Sequence, residues 1–233
     1  MTETSHRGLT RRKAAAAEHF TGEELQLLRR AGHLRRWNRG DVLIREGEPA
    51  DFVVLLTGGL VKATVDSTNG YTSLLALRGP GELVGELSCV DGRPRGATVT
   101  AMRRVEGVVI SAEVFLRLLE RNAGLCLSVL HSVVTRLRDS DLLRAEQGAH
   151  TTRARLASLL VKLALRHGSS ASDTPPGAIA VQVNQHELAA AAGASRESVV
   201  RCLRAMQHEG LVATGRGRTV VLNLAGLRRW ADE

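Results

Sequence analysis

The chain has 233 residues, 43% hydrophobic and 24% charged, which is typical of a globular protein with one large or two modest domains. No apolar run approaches the roughly 20 residues of a membrane helix, and residues 1–18 form a basic tail, expected to be flexible, without a signal-peptide core. Three widely spaced cysteines exclude a disulfide scaffold, a closed zinc site and a cysteine-held iron–sulfur cluster. A cytoplasmic location is the resulting expectation.

The net charge of +8 is spread unevenly along the chain. Residues 41–148 carry twelve Lys and Arg against fourteen Asp and Glu, whereas residues 149–233 carry eleven against six. A near-neutral middle followed by a basic last third predicts that the last third binds a polyanion. On charge alone, a merely solvated basic surface stays an alternative.

Residues 41–111 favour short strands separated by glycines, in "DVLIREG", "DFVVLLTGGLVKATV", "YTSLLALRG" and "ATVTAMRRVEGVVI". Short β runs with turn signals at such spacing predict a small β-sandwich or barrel. No helical period extends through this region.

Within it, "GELSCVDGRPRGATVTA" at residues 85–101 sets Glu86 and Arg95 among glycines and small residues. The two charges could form an ion pair, but a partly exposed pair contributes only about 0–1 kcal/mol and gives little reason for the glycines. Alternatively they hold a ligand, with Arg95 clamping phosphate oxygens, Glu86 accepting from a ribose hydroxyl and Gly85 allowing close backbone approach. From the residues alone both interpretations stay open.

Residues 112–146 contain no proline and predict a long helix with a plausible break at Gly148. Its apolar stripe steps by 3, 4 and 3 through Leu127, Leu130, Val134 and Leu137. Such a stripe favours dimerisation through a partner helix, although covering the β region is the alternative. A further helix follows in "TTRARLASLLVKLALRHG", and residues 169–178 form a loop by composition.

Residues 179–222 predict a strand, a helix, a tight turn, a second helix and a hairpin around "GRGR". Asn184 is a candidate N-cap of the first helix, Gly193 a helix breaker and Ser195 a candidate N-cap of the second helix. Two short helices joined at a glycine are typical of a helix-turn-helix. The sequence therefore predicts a DNA-binding module in the basic third.

The second helix and the hairpin carry the candidate DNA contacts, which are Ser195, Arg196, Glu197, Ser198, Arg201, Arg204, Arg216 and Arg218. Arginine suits the paired acceptors of guanine, and glutamate accepts from the cytosine amino group. The serines, with the helix N-terminus, suit phosphate oxygens, and the hairpin arginines could contact the backbone as a wing. A solvated charged helix face is the alternative.

"ASRESVVRCLRAMQHEGLV" resembles the recognition helix of the cyclic-AMP receptor/fumarate–nitrate regulator family of bacterial transcription factors. The resemblance extends over nearly the whole chain from about residue 19. It implies an α+β fold: a cyclic-nucleotide-binding β-roll with its dimer helix at 19–148, then a winged helix-turn-helix at 149–233. It also implies a homodimer on double-stranded DNA, reading a TGTGA-like palindromic operator through Arg196, Glu197 and Arg201, with RNA polymerase as a further partner.

"GEL" and "PRGATV" resemble the phosphate-binding cassette of cyclic-nucleotide-binding domains. The resemblance implies that Glu86 binds the ribose 2′-hydroxyl and Arg95 the cyclic phosphate, supported by the backbone of residues Gly85, Glu86 and Leu87. Cyclic AMP or cyclic GMP would then be the effector, with no metal or further cofactor.

The same resemblance assigns three further positions to the nucleotide site. Gly96 follows the cassette arginine where the bacterial activator of this family has a serine, which leaves one phosphate donor fewer. On the long helix, Ser140 matches a hydroxyl that meets the adenine amino group. Asp141 stands at the next position, where that activator supplies a serine across the dimer.

The sequence thus predicts a DNA-binding transcriptional regulator controlled by cyclic AMP or a related nucleotide. A regulator of the same fold that needs no nucleotide or senses another effector is the first alternative. An enzyme is not expected, because the roughly 85 residues after 148 offer no paired nucleophile and base and no metal cluster. An adaptor that uses the basic third for another partner is the remaining alternative.

Overall fold

The computed structural model describes residues 19–66, 72–149, 151–169, 174–215 and 217–232, with the backbone alone over 142–149. The predicted tail at 1–18 and the candidate Arg216 lie outside the described residues. The chain separates into two compact units. The first contains residues 19–66 and 75–138, and the second contains residues 139–232 with residues 72–74.

Two antiparallel four-stranded sheets form the β domain. The first sheet has the order β1 (His33–Trp37), β8 (Val105–Ser111), β3 (Phe52–Gly58), β6 (Leu83–Val84). The second has the order β2 (Val42–Ile44), β7 (Thr98–Ala101), β4 (Val61–Asp66), β5 (Thr72–Arg78). The expectation of a small two-layered β domain is confirmed.

The run "VVLL" in strand β3 is apolar at every position because both faces of this strand are buried. Val53 and Leu55 pack into a cluster with the helices, whereas Val54 and Leu56 pack between the two sheets. Because successive side chains of a strand point to opposite faces, a strand covered on both sides needs apolar residues at every position. This strand therefore forms the centre of the β domain.

Among the described residues, four helices accompany the sheets: α1 (Gly22–Arg30), α2 (Glu86–Asp91), α3 (Ala112–Arg121) and α4 (Ala123–Ala149). The predicted single helix from 112 is divided, because Asn122 leaves the helical conformation at φ −133° and ψ 87°. The expected break at Gly148 is wrong, since α4 continues through it to Ala149. A glycine costs a helix only about 1 kcal/mol, and the next helix starts where the Thr151 side chain caps it.

The second unit carries α5 (Thr152–His167), β9 (Ile179–Val181), α6 (Gln185–Ala192), α7 (Arg196–His208), β10 (Val212–Gly215), β11 (Arg218–Val221) and α8 (Leu224–Asp232). Helix α5 packs against α6, α7 and α8, and the strands form a sheet of order β10-β11-β9. The predicted helix-turn-helix and hairpin are confirmed. The two helices of the helix-turn-helix pack inward through five buried residues: Leu188, Ala192, Val199, Leu203 and Met206.

Helix α1 and strand β1 were not expected. A local signal for α1 exists, because Thr21 and Glu24 form a capping box in which each side chain accepts from the other's backbone N–H. Strand β1 has no such signal, since only Trp37 of its five residues is buried. Across the described part of the chain, none of the helices combines the length and apolarity that crossing a bilayer requires.

Candidate functional site

One cavity of about 270 Å³ in the first unit contains all five cassette residues predicted from the sequence: Gly85, Glu86, Leu87, Arg95 and Gly96. The remaining wall is mostly apolar and consists of Ile44, Ala63, Leu75, Ala76, Arg78, Leu83, Val84, Ser88, Ala97, Val99 and Arg136. The volume is close to the lower end of the roughly 300–1,000 Å³ that small-molecule sites span. The cavity thus has the size and mixed lining of a site for a small polar ligand.

Gly85 is placed where no other residue fits. Its φ of +86° lies in the left-handed region. A Cβ at this position would lie 2.7 Å from Nη1 of Arg95 and 2.8 Å from Cδ1 of Ile44. The glycine therefore turns the chain from β6 into α2 and leaves room for the arginine behind it.

Arg95 is 3% exposed and its guanidinium is fixed on several sides. Nη1 donates to the Gly85 carbonyl at 2.8 Å and Nη2 to the Phe52 carbonyl at 2.5 Å. The Asp51 carboxylate lies 3.6 Å from Nη2, and the guanidinium carbon lies 4.9 Å from the Phe52 ring centroid. These contacts hold a cation in place at the cavity wall.

Glu86 is 2% exposed and forms an ion pair and hydrogen bond with Nη2 of Arg136 from helix α4. Among the contacts of the described residues, no hydrogen bond or ion pair joins Glu86 to Arg95. The interpretation in which these two charges pair with each other is therefore wrong. Each has a different partner, and both line the same cavity.

Cys89 lies behind the arginine. Its thiol donates to the Phe52 carbonyl at 3.3 Å and accepts from Nη1 of Arg95 at 3.8 Å. Burial raises the pKa of the Cys89 thiol above its ordinary value, although the charge of Arg95 acts in the opposite direction. The thiol is thus a neutral packing group beneath the cassette.

Three contributors to the cavity escaped the sequence prediction. Asp51 contacts Arg95, Arg136 contacts Glu86, and Arg78 lines the wall. The charge partners lie 44 and 50 residues from the cassette residues that they contact, so no local motif could have identified them. Ser140 and Asp141 belong to the second unit, half-buried and exposed respectively, and their contact with a base stays a prediction.

The predicted nucleic-acid interface lies on helix α7. The Ser195 hydroxyl caps the helix by accepting from the Ser198 backbone N–H at 3.1 Å, and it also donates to the Ser198 hydroxyl at 3.0 Å. The charged candidates are exposed, namely Arg196, Glu197, Arg201 and Arg204. Glu197, Arg201 and Arg204 are spaced by 4 and 3, which places them on one face of the helix.

A groove of about 330 Å³ runs beside this helix. Arg196 and the half-buried Arg218 of β11 line it together with the N-terminal residues of α6: Asn184, Gln185 and His186. A groove with cations on two elements and a helix N-terminus on a third suits a phosphate backbone.

Arg155 of helix α5 supports the turn between the two helices and was not expected from the sequence. Its Nε donates to the Ala192 carbonyl at 3.1 Å, and Nη2 donates to the Gly193 carbonyl at 3.4 Å. Gly193 itself adopts the left-handed conformation that ends α6, with φ 58°. The Arg155 guanidinium therefore connects α5 to the turn from which α7 starts, and it helps to fix the orientation of α7.

Helix α4 has a buried side and, apart from it, the predicted seam of Leu127, Leu130, Val134 and Leu137. Leu125 and Val129 are buried in the first unit, whereas Leu127, Leu130 and Leu137 are 57%, 53% and 58% exposed. Of the predicted stripe, only Val134 is half-buried, so covering the β domain does not account for the three leucines. In the part of the chain that the structure describes, these leucines form an exposed apolar row.

Comparison with known proteins finds one family match in each of the two units. Residues 34–122 match the family described as cyclic nucleotide-binding domain, and residues 154–230 match the Crp-like helix-turn-helix domain. A cyclic AMP receptor protein of Thermus thermophilus is 32% identical over 209 residues, covering 90% of this chain and 93% of that protein. A CRP-like cAMP-activated global transcriptional regulator of Mycobacterium tuberculosis is 29% identical, covering 79% and 81%.

Among solved structures, a transcriptional regulator of the CRP family from Thermus thermophilus has a TM-score of 0.71 at 26% identity. The match covers 85% of this chain and 97% of that one. A nucleotide-binding β domain, a long helix and a Crp-like helix-turn-helix together define a class of DNA-binding transcription regulators. The chain belongs to the cyclic-AMP receptor/fumarate–nitrate regulator (CRP/FNR) family.

Proposed function

We propose that this protein is a homodimeric, sequence-specific transcription regulator whose DNA binding is controlled by cyclic AMP or a closely related cyclic nucleotide. The observation that carries the proposal is the pair of buried opposite charges, Glu86 and Arg95, that line one cavity without pairing with each other. Each charge is held by partners of its own and also lines the cavity, so a ligand that carries both an anionic group and a hydroxyl can use both.

The cyclic phosphate is assigned to Arg95 and the ribose 2′-hydroxyl to Glu86. A guanidinium presents two parallel donors to phosphate oxygens, and a carboxylate accepts from a hydroxyl. The guanidinium is already oriented by the Gly85 and Phe52 carbonyls, so little conformational entropy is lost on binding. Cyclic AMP is the first candidate effector because the Thermus and Mycobacterium relatives are named for it.

The DNA target is assigned to α7. Arg196 and Arg201 suit guanine in the major groove, and Glu197 suits the cytosine amino group. Arg218 and the adjacent groove suit the backbone phosphates. A dimer formed through the exposed leucines of α4 would present two such helices, which implies a palindromic operator with TGTGA-like half-sites. RNA polymerase is the further partner that this role implies.

Calorimetric titration with cyclic AMP and with cyclic GMP tests the ligand assignment. We expect saturable binding to the unaltered protein and a loss of at least about 100-fold in affinity for Arg95→Ala, which removes two charge-assisted hydrogen bonds. Arg93→Ala is the matched control, because Arg93 is exposed in the same loop and does not line the cavity.

Glu86→Gln serves as a second variant, and thermal unfolding of every variant shows that it is folded. Absence of heat with both nucleotides on the unaltered protein would overturn the ligand assignment and leave a regulator of the same fold with another effector. Equal affinity of the unaltered protein and Arg95→Ala would remove the arginine from the site.

A further inference from the structure

Arg78, the last residue of β5, is a mostly buried cation in the cavity wall. It lines the same cavity as Glu86 and Arg95, and its side chain is only 16% exposed. Most of the wall outside the cassette is apolar and includes Ala63, Leu75, Ala76, Leu83 and Val84. No sequence pattern assigned Arg78 a role. A cation in such a wall is expensive unless it is held by partners or used by a ligand.

The side chain of Arg78 is held in place. Its Nη1 donates to the Leu77 carbonyl at 2.9 Å, and its Nε lies 3.6 Å from Oε1 of Glu82. Glu82 is itself fixed, because its Oε2 accepts from the Gly79 backbone N–H at 2.7 Å. The guanidinium is therefore preorganised at the wall, which is a requirement for discriminating between ligands.

The part of a nucleotide that reaches Arg78 follows from the proposed function. Phosphate and ribose occupy the cassette, at Arg95 and Glu86, so the base occupies the remaining wall. Among the described residues of that wall, the polar side chains are those of Ser88, Arg78 and Arg136. Arg136 contacts Glu86, the residue assigned to the ribose, and the Ser88 hydroxyl donates to the carbonyl of Pro94, next to Arg95. Both therefore belong to the ribose and phosphate end of the cavity, and Arg78 is the polar group that we assign to the base edge.

The chemistry of a guanidinium decides which purine it favours. It offers hydrogen-bond donors and no acceptor. At position 6, guanine carries a carbonyl oxygen that accepts, whereas adenine carries an amino group that donates; N7 accepts in both. A fixed guanidinium thus binds the O6 and N7 edge of a 6-oxopurine and is poorly matched to the N6 amino group.

We propose that Arg78 is a specificity-determining residue of the effector site, which shifts its preference toward cyclic nucleotides with a 6-oxopurine base. This inference rests on the proposed function and deepens it. Without Arg78 the part of the wall assigned to the base would hold adenine and oxopurines mainly by apolar contact, and discrimination at position 6 would fall.

Calorimetry with three ligands isolates position 6. Cyclic IMP differs from cyclic AMP in carrying the 6-oxo group, and it differs from cyclic GMP only in lacking the 2-amino group. The quantity to compare is the Kd of cyclic AMP divided by the Kd of cyclic IMP. We expect Arg78→Leu to lower this ratio about tenfold, the size of one arginine–purine contact, and to leave the Kd ratio of cyclic IMP to cyclic GMP unchanged.

Two further variants allow the inference to be tested even if Arg78→Leu fails to fold. Arg78→Lys retains the charge without the planar fork, so its ratio is expected between those of the unaltered protein and Arg78→Leu. Arg36→Leu is the matched control, since Arg36 also pairs with a glutamate, Glu106, at 2.8 Å but is not a cavity residue. Its ratio is expected to equal that of the unaltered protein.

The outcomes separate this inference from the function on which it rests. If the unaltered protein binds the nucleotides and the ratio stays within twofold in both Arg78 variants, Arg78 does not determine specificity. If the unaltered protein binds none of the three, the proposed function fails and the inference fails with it. If Arg78→Leu does not fold, the ratio in Arg78→Lys decides.

Discussion

At the scale of single residues, Arg95 and Glu86 exemplify how a protein keeps opposite charges close without neutralising them. Arg95 is satisfied by two backbone carbonyls and by Asp51, and Glu86 is satisfied by Arg136. Because each charge has its own partner, neither needs the other to be buried. The cavity that both residues line therefore offers a cation and a carboxylate, which the proposed nucleotide would use.

Removing one partner of the Glu86–Arg136 ion pair should strongly lower the free energy of unfolding. Arg136→Leu leaves Glu86 buried without a compensating cation, and we expect a loss of about 3–5 kcal/mol in the free energy of unfolding. The double variant Glu86→Gln/Arg136→Leu should recover part of this loss. Urea denaturation of both single variants and the double variant measures the coupling.

The exposed pair of Arg117 and Glu113, at 2.6 Å on helix α3, is the matched control for that cycle. As an i,i+4 surface pair it should show a coupling of only about 0.3–0.5 kcal/mol. Strictly additive effects at Glu86 and Arg136 would show that the two side chains do not interact in solution.

Gly96 should be a position where affinity can be gained. Its φ is not in the left-handed region, and a Cβ at this position meets nothing within 4 Å. Gly96→Ser therefore fits and adds a hydroxyl donor beside the phosphate of the ligand, for which we expect about tenfold tighter nucleotide binding. Gly22→Ser, at another open position remote in sequence, is the control. Unchanged or weaker binding by Gly96→Ser would contradict the placement of the phosphate.

At the scale of elements, the sequence predicted what local chemistry determines. The two N-caps at Asn184 and Ser195 and the glycine turn at Gly193 identified the helix-turn-helix, and the structure contains each of them. The cassette was predicted for the same reason, since its glycines and charges lie within one short stretch.

What escaped prediction depends on packing between distant segments. Strand β1 exists because it pairs with β8, and its mostly exposed residues give no periodic signal. Arg136 and Arg155 look like ordinary helical arginines in the sequence. Their roles arise only once helices α4 and α5 place them against Glu86 and against the turn after α6.

Helix α7 should determine base specificity. We expect Arg196→Ala and Arg201→Ala each to reduce affinity for a TGTGA-containing palindrome by about 1–3 kcal/mol and to relax discrimination at the guanines. Fluorescence anisotropy with the palindrome and with a scrambled duplex, at one fixed salt concentration, measures both.

Arg229→Ala is the control for this experiment, because Arg229 is an exposed arginine of helix α8 outside the groove. It should reduce binding to the two duplexes by the same small factor. If Arg196→Ala and Arg201→Ala weaken both duplexes equally, these arginines contact the backbone and do not read bases.

The exposed leucines of α4 should hold the dimer. Replacing Leu130 and Leu137 by glutamate puts like charges into an apolar seam, and we expect the protein to become monomeric at micromolar concentration. Sedimentation equilibrium measures the mass. Val90→Glu, on α2 and 56% exposed, should leave the mass unchanged. A dimer that survives both leucine substitutions would place the interface elsewhere.

At the scale of the whole molecule, α4 is the element that both units share. Its residues up to Arg138 belong to the unit with the cavity, and its residues from Asp139 belong to the unit with the helix-turn-helix. If nucleotide binding favours the state that binds DNA, then DNA must raise the affinity for nucleotide by the same factor.

If the cavity controls the DNA-binding face, bound nucleotide must change the affinity of the protein for its operator. The most direct test measures the affinity for a TGTGA-containing palindrome by anisotropy, with and without saturating cyclic AMP or cyclic GMP, at fixed salt. We predict that nucleotide tightens specific binding by about 5–150-fold, and that Arg95→Ala loses this response while binding DNA as the nucleotide-free protein does. Equal affinity with and without nucleotide, in a protein that calorimetry shows to bind the nucleotide, would contradict it.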